Sequence, residues 1–211
     1  MDDHLLAAAA AAPGFMPPDE GLALARAASE LTVPGPVLEV GSYLGKSTLY
    51  LAAAARPTAR LVVTVDHHRG SEEHQPGWEY HDPALVDPAT GRVDTVPGFR
   101  ATIAGAGAED VVVAVVARSD VLAGLWGTPL AMVFLDGSHT EESALRDYAC
   151  WLPHLRPGGL LAIHDVFTDP AAGGQAPFHV YRRALDSGQF TERAGCGSLR
   201  LLHRSGSLPP R

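Results

Sequence analysis

The chain has 211 residues, of which 46% are hydrophobic, a size that suits one α/β domain with a buried core. A formal net charge of −8 and the lack of any basic run exclude general attraction to nucleic acid or to anionic lipid. Cys150 and Cys196 are too few for a disulfide framework, Asp2 and Asp3 stand where a signal peptide needs positive charge, and no apolar run approaches membrane-spanning length. A cytoplasmic protein without nucleic-acid or membrane partners is expected.

In chain order, an alanine-rich stretch at 7–12 ends at Pro13-Gly14. Pro17-Pro18-Asp19-Glu20 then opens a helical run to about Glu30, so that 1–35 form an N-terminal helical segment. Strands are predicted at 37–41, 61–65, 111–116, 131–135 and 159–163, each rich in Val, Leu or Ala and without polar alternation. Parallel strands buried on both faces have that pattern. Helical patterns at 46–56, 97–107, 119–126 and 141–155 separate them, and in the last Leu145, Tyr148, Leu152 and Leu155 recur at three- and four-residue spacing. The alternation predicts an α/β fold, a doubly wound and mostly parallel sheet in a single domain over 1–211. From Phe178 a helix and two weaker strands, 189–193 and 198–203, are expected, then a frayed tail at 205–211. Residues 67–95 break the rhythm with four of the ten histidines and no periodicity, which predicts a lid. A shorter insertion at 168–177 carries Gly173-Gly174.

The most informative segment is Val37-Leu38-Glu39-Val40-Gly41-Ser42-Tyr43-Leu44-Gly45-Lys46-Ser47-Thr48. An apolar strand meets a glycine turn and a helix follows at once, which suits a nucleotide-like ligand at the strand's carboxyl end. NAD(P), a nucleoside triphosphate and S-adenosylmethionine all use such turns. Gly45-Lys46-Ser47 matches the end of a P-loop and Asp136 closes a strand as a magnesium aspartate would, but Gly41 and Gly45 enclose three residues where a P-loop needs four. A P-loop NTPase is therefore the competing enzyme class. Gly-x-Gly-x-x-Gly is absent, which disfavours NAD(P). Asp66, closing the second strand, suits the vicinal hydroxyls of a ribose because a carboxylate accepts two hydrogen bonds.

Glu39 two residues before the first glycine, with an acid ending the second strand, resembles the class I S-adenosylmethionine-dependent methyltransferases, and the fold this implies is their Rossmann-like sheet. Asp136-Gly137-Ser138-His139 and His164-Asp165-Val166 are similar to the metal-dependent sugar and antibiotic O-methyltransferases. Val65-Asp66-His67-His68-Arg69-Gly70-Ser71-Glu72-Glu73 and Pro177-Phe178-His179-Val180-Tyr181 resemble, within that family, the mycobacterial sugar 1-O-methyltransferases of methylmannose polysaccharide biosynthesis. The resemblance implies methyl transfer to the 1-hydroxyl of a short 3-O-methylated mannoside, in a homo-oligomer expected to be a dimer. Another small hydroxylated metabolite or antibiotic sugar is the alternative acceptor.

It also implies roles for residues. Glu39, Gly41, Ser42, Gly45 and Ser47 would hold the methionine portion of the cofactor, Asp66 and Ser119 its adenosine, and Asp136 would border it. Strands ending in Asp136 and Asp165 are neighbours in this fold, about 4.8 Å apart, so both carboxylates would share one cation, Mg²⁺ or Mn²⁺. His164 would either ligate or support that site. His67, His68, Glu72, Glu73, His179 and Tyr181 would bind the sugar. Ser138 and Glu141 form a Ser-x-x-Glu capping box, which predicts His139 in the first turn of the following helix, kept neutral by the positive helix end and serving as general base.

Overall fold

A computed structural model describes residues 1–78 and 80–205. Its centre is a seven-stranded sheet in the order β5-β2-β1-β6-β7-β9-β8: β1 Val37–Val40, β2 Val62–Asp66, β5 Val112–Val116, β6 Leu130–Leu135, β7 Leu155–Ile163, β8 Phe190–Cys196 and β9 Leu199–Arg204. The first five run parallel and β9 pairs antiparallel with β7 and β8, so the predicted mostly parallel, doubly wound sheet is observed. Successive side chains of a strand point to opposite faces, which divides the core in two. Val37, Val62, Met132, Phe134, Leu160 and Ala162 pack under the helices α1 Asp3–Ala11, α2 Pro18–Ser29, α3 Lys46–Ala55 and α4 Val96–Gly105. Leu38, Val63, Val133, Leu135, Leu161 and Ile163 pack under α5 Ser119–Leu125, α6 Glu141–Trp151 and α7 Ala176–Asp186.

Two local expectations are corrected. The helix predicted over 141–155 ends at Trp151, because Pro153 lacks the N–H that would continue it; a 3₁₀ turn follows and Leu155 opens β7. The aperiodic segment 67–95 contains 3₁₀ turns at Glu72–His74 and Pro83–Leu85 and a small antiparallel ribbon, β3 Val86–Asp87 with β4 Arg92–Val93. The Ser138/Glu141 capping box does not form: Thr140 is the N-cap of α6, Ser138 Oγ accepts instead from Thr140 N, and His139 precedes the helix. Of the expected tail, 206–211 lie outside the described residues. Among those described, no helix is long and apolar enough to cross a membrane.

Candidate active site

Four parallel strands, β5, β2, β1 and β6, end along one edge of the sheet, and β7 ends beside them. A cleft of about 830 Å³ opens there, bordered by the 67–95 segment and by the linker between α1 and α2. Gly41 has φ +86, and a Cβ on it would collide with the backbone of Asp136 and Gly137; only glycine lets the turns after β1 and β6 pass this closely. Asp66, at the end of β2, organises the glycine turn. Its Oδ2 accepts hydrogen bonds from Ser42 N and Tyr43 N, both 3.0 Å, and its Oδ1 from His68 N at 2.7 Å. Ser42 Oγ is buried with no partner among the described residues, which marks a place for a ligand group.

Several residues expected to contact the cofactor support the turn instead. Glu39 is fully buried and does not reach the cleft. Its carboxylate turns beneath the turn to accept from Ser47 Oγ at 2.7 Å and from Thr48 Oγ1, tying β1 to the first turn of α3. Burial pushes its pKa up to about 7, against the pull of those hydroxyls. Gly45, with φ +93, packs on Phe99 and Ile103 and starts α3 without lining the cleft. Ser47 and Ser119 do line it, and Ser119 Oγ accepts from Trp151 Nε1 at 2.7 Å. Next to Ser119 stands a group that the sequence reading missed. Asp147, one turn before Trp151 on α6, lines the cleft with its pKa pushed up to about 6 by burial, a rise that a hydrogen bond with Ser119 limits.

The acidic cluster forms where β6 and β7 run in register, Leu135 beside Ile163. Asp136, His164 and Asp165 each offer one ligand atom, all within 4.8 Å of one another. His164 Nδ1 lies 3.0 Å from Asp136 Oδ1 and 3.4 Å from Asp165 Oδ2, while Nε2 lies 2.8 Å from Glu20 Oε2 but out of line for a hydrogen bond. Burial opposes the charged imidazole, yet the surrounding carboxylates, Asp136 foremost, outweigh it and push its pKa up to about 12. Asp165 has φ +55, an uncommon conformation that aims its carboxylate back at the cluster. Burial would raise its pKa, but His139 and His164 hold it well below the usual carboxylate range. Glu20 was not foreseen; it is buried on α2, accepts from Ser198 N at 2.8 Å, and so ties the N-terminal helix and the β8–β9 turn to the site.

His139 bridges two carboxylates, with Nδ1 2.8 Å from Glu73 Oε2 and Nε2 2.9 Å from Asp165 Oδ2. The expectation of a ring kept neutral by a helix end is corrected. The hydrogen bond to Asp165, despite opposing burial and together with Glu73, raises its pKa to about 9, because the ring lies outside the helix and between two anions. Among the expected sugar ligands, His67, Glu72 and Glu73 line the cleft. His68 does not: it is buried against Phe99, its Nδ1 2.7 Å from Thr95 Oγ1. His179 and Tyr181 lie outside as well, paired on the surface with Glu141 at 2.8 Å and Glu192 at 2.7 Å. The two point to different sides of α7, His179 toward α6 and Tyr181 toward β8.

This strand order, with a glycine turn after β1 and an acid ending β2, defines the class I methyltransferase fold. A profile of the methyltransferase-domain family matches residues 38–166, more than half of the chain, and the chain belongs to that family. A 50-residue stretch is 44% identical to the mycinamicin VI 2''-O-methyltransferase of Micromonospora griseorubida, covering 23% of this chain and only 12% of that protein's length. Solved structures agree over nearly the whole chain. The O-methyltransferase TomG of Streptomyces achromogenes, involved in tomaymycin synthesis and bound to S-adenosylmethionine, superposes with a TM-score of 0.65 at 19% identity, covering 98% of this chain and 91% of its own. An O-methyltransferase of Bacillus cereus in complex with S-adenosylhomocysteine gives 0.64 at 19% identity, covering 97% and 92%. The O-methyltransferase NovP gives 0.68 at 16% identity, covering 91% and 83%. The competing P-loop NTPase has no support in this family or this fold.

Proposed function

We propose that the protein is an S-adenosylmethionine-dependent O-methyltransferase whose acceptor is a sugar hydroxyl, the 1-hydroxyl of a short 3-O-methylated mannoside in methylmannose polysaccharide biosynthesis. The observation that carries this reading is the meeting of Asp136, His164 and Asp165 at two adjacent strand ends, with His139 bonded to Asp165 on the wall of the same cleft. Gly41, Ser42 and Ser47 would receive the methionine portion and Asp66 and Ser119 the adenosine, while Glu39 and Gly45 hold the turn in shape. Oδ2 of Asp66 is filled by Ser42 N and Tyr43 N, while Oδ1, which accepts only from His68 N, keeps one acceptor site for a ribose hydroxyl.

A divalent cation, Mg²⁺ or Mn²⁺, fits the donor set, since two carboxylates and an imidazole converge within 4.8 Å. Bound there, it would supply positive charge that favours ionisation of the acceptor hydroxyl. Asp136 and Asp165 would hold it. Ligation by His164 through Nδ1 suits the same geometry, because Nδ1 faces both carboxylates while Nε2 is turned to Glu20.

His139 then acts as the base. Glu73 accepts from Nδ1–H, which leaves Nε2 as the proton acceptor. With Asp165 engaged by a bound cation, Nε2 of His139 would lose its anionic partner, the ring's pKa would fall from about 9, and Nε2 would be free for the acceptor's proton. Such a base contributes roughly 10²–10⁴-fold, about 3–5 kcal/mol of barrier. The 67–95 segment closes the cleft and excludes water from the reacting centre.

Incubation with the cofactor and a panel of partly methylated mannosides, read by mass spectrometry, tests the acceptor; a gain of one methyl at the 1-oxygen is expected. An antibiotic sugar is the second reading, favoured by the likeness to the mycinamicin methyltransferase. Methylation of macrolide glycosides, with every mannoside left unchanged, would select it. The cytoplasmic setting and the homodimer belong to the same proposal, and light scattering of the purified protein tests the dimer.

A further inference from the structure

The mouth of the cleft carries aromatic rings from three separate segments, and methyl transfer itself uses none of them. Phe15 comes from the linker between α1 and α2, Tyr43 from the glycine turn, and His74 and Tyr80 from the 67–95 segment; all four line the cleft. The Phe15 ring centroid lies 5.4 Å from that of Tyr43 and 5.3 Å from that of Tyr80, and Tyr43 stacks on His74 at 5.1 Å. These are ordinary distances for interacting aromatics, yet Phe15 remains 60% exposed and Tyr80 44%. Large apolar rings left open inside a cleft mark a surface kept for a ligand.

Two further features suggest that the cluster is built for binding. Tyr43 has φ +45, a conformation that disfavours any side chain but glycine's, so its ring is held there against a backbone cost. His74 Nδ1 accepts from Ser71 N at 3.2 Å, which puts the proton on Nε2, and Nε2 has no partner among the described residues. The cluster therefore offers ring faces, beside a buried His74 Nε2–H that has no partner among the described residues. The same cleft holds acceptors: the carboxylates of Glu72, Glu73, Asp136 and Asp165.

Rings beside carboxylates match one chemical class. A pyranose presents C–H groups on its ring faces and hydroxyls at its rim; the first pack on aromatic rings, the second donate to carboxylates. O-Methyl groups enlarge the apolar part. We infer that Phe15, Tyr43 and Tyr80 form the platform on which the C–H face of a partly O-methylated pyranose lies, turning its free hydroxyl toward His139. This rests on the proposed sugar O-methyltransferase reading and adds the residues that select the acceptor.

The test compares the parent with Phe15→Ala, Tyr80→Ala and the conservative Phe15→Tyr. Acceptor KM and kcat are measured with the mannoside that the panel identifies. Cofactor affinity is measured by calorimetry. Binding of 1,3-di-O-methylmannoside, blocked at the reacting oxygen, is followed by saturation-transfer NMR. Each alanine variant should raise acceptor KM about tenfold, the equivalent of roughly 1.4 kcal/mol. The loss should fall on KM, cofactor affinity should stay within twofold, and saturation of the ring C–H protons should drop. Phe15→Tyr should recover most of the KM. Both truncated rings are exposed, so an unchanged unfolding temperature verifies folding.

Parent binding of the blocked mannoside with no change in either alanine variant would overturn the platform alone. No binding or turnover of any mannoside would overturn the mannoside reading. The same variants would then be assayed with the acceptor that is turned over, and an equal KM loss with a planar phenol would overturn the pyranose assignment.

Discussion

Replacing Glu39 with glutamine tests whether that carboxyl is buried as a strained acid. Desolvation raises its pKa from 4.5 to about 7, while Ser47 and Thr48 hold the carboxylate by hydrogen bonds. Between those two pH values the unfolded chain has lost the proton and the folded chain has kept it, so the unfolded state binds fewer protons. Stability of the parent must therefore fall as pH rises through that window, and flatten above it. At 1.36 kcal/mol per unit the fall is about 3 kcal/mol. Glutamine has no such titration. Its amide nitrogen cannot accept from a hydroxyl, which adds a mismatch of about 1–3 kcal/mol, but that cost does not vary with pH. The expected outcome is a difference in unfolding free energy, variant minus parent, that grows by about 3 kcal/mol from pH 4.5 to pH 8. Urea unfolding in the presence of a chelator, at half-unit pH intervals, measures it; groups shared by both proteins cancel. A difference flat to within about 0.5 kcal/mol, or one that shrinks with rising pH, would refute a buried carboxyl with a raised pKa.

Four further outcomes follow from the site. His139→Ala should lower kcat by about 10²–10⁴-fold with cofactor affinity within a few-fold, and a single-turnover rate within threefold of the parent would hand the base role to another group. Because Asp165 and Glu73 raise the pKa of His139 to about 9 and the base acts unprotonated, its NMR titration in metal-free protein should lie well above an ordinary histidine and move down when Mg²⁺ is added. Chelation should abolish turnover while leaving cofactor binding little changed, with Mg²⁺ or Mn²⁺ restoring activity; full activity of metal-free protein would remove the cation from the mechanism. Amide exchange across 67–95 should slow when cofactor and acceptor are bound together, and equal protection with and without them would rule out a lid.

What could be read from the sequence is what local chain geometry determines. Buried strands without polar alternation, a glycine turn, and acids at or within two residues of strand ends located Gly41, Asp66, Asp136 and Asp165 at one edge of the sheet, because a residue at a strand end has little freedom in where it emerges. Misread residues depend on which way a side chain turns after that. Glu39 turns inward because Ser47 and Thr48, eight and nine residues later, meet it under the turn. His68 follows Asp66 closely enough to be drawn into its hydrogen bonding, and its ring is then buried on Phe99. Glu20 could be read only as a favourable charge in a first helical turn; its contact with Ser198 spans 178 residues.

His139 shows the same limit and what it conceals. Its position before α6 was nearly legible, but its two partners come from different parts of the chain, Glu73 being 66 residues away. Glu73 belongs to the 67–95 segment, proposed as a lid, and Asp165 follows the end of β7. With Asp165 engaged by a cation, Glu73 alone would keep the proposed base oriented, through Nδ1. If that segment lifted, Nδ1 would lose Glu73, the partner that holds the tautomer leaving Nε2 free to take a proton. Closure that excludes water would also complete the base, so proton removal becomes effective only when the acceptor is enclosed.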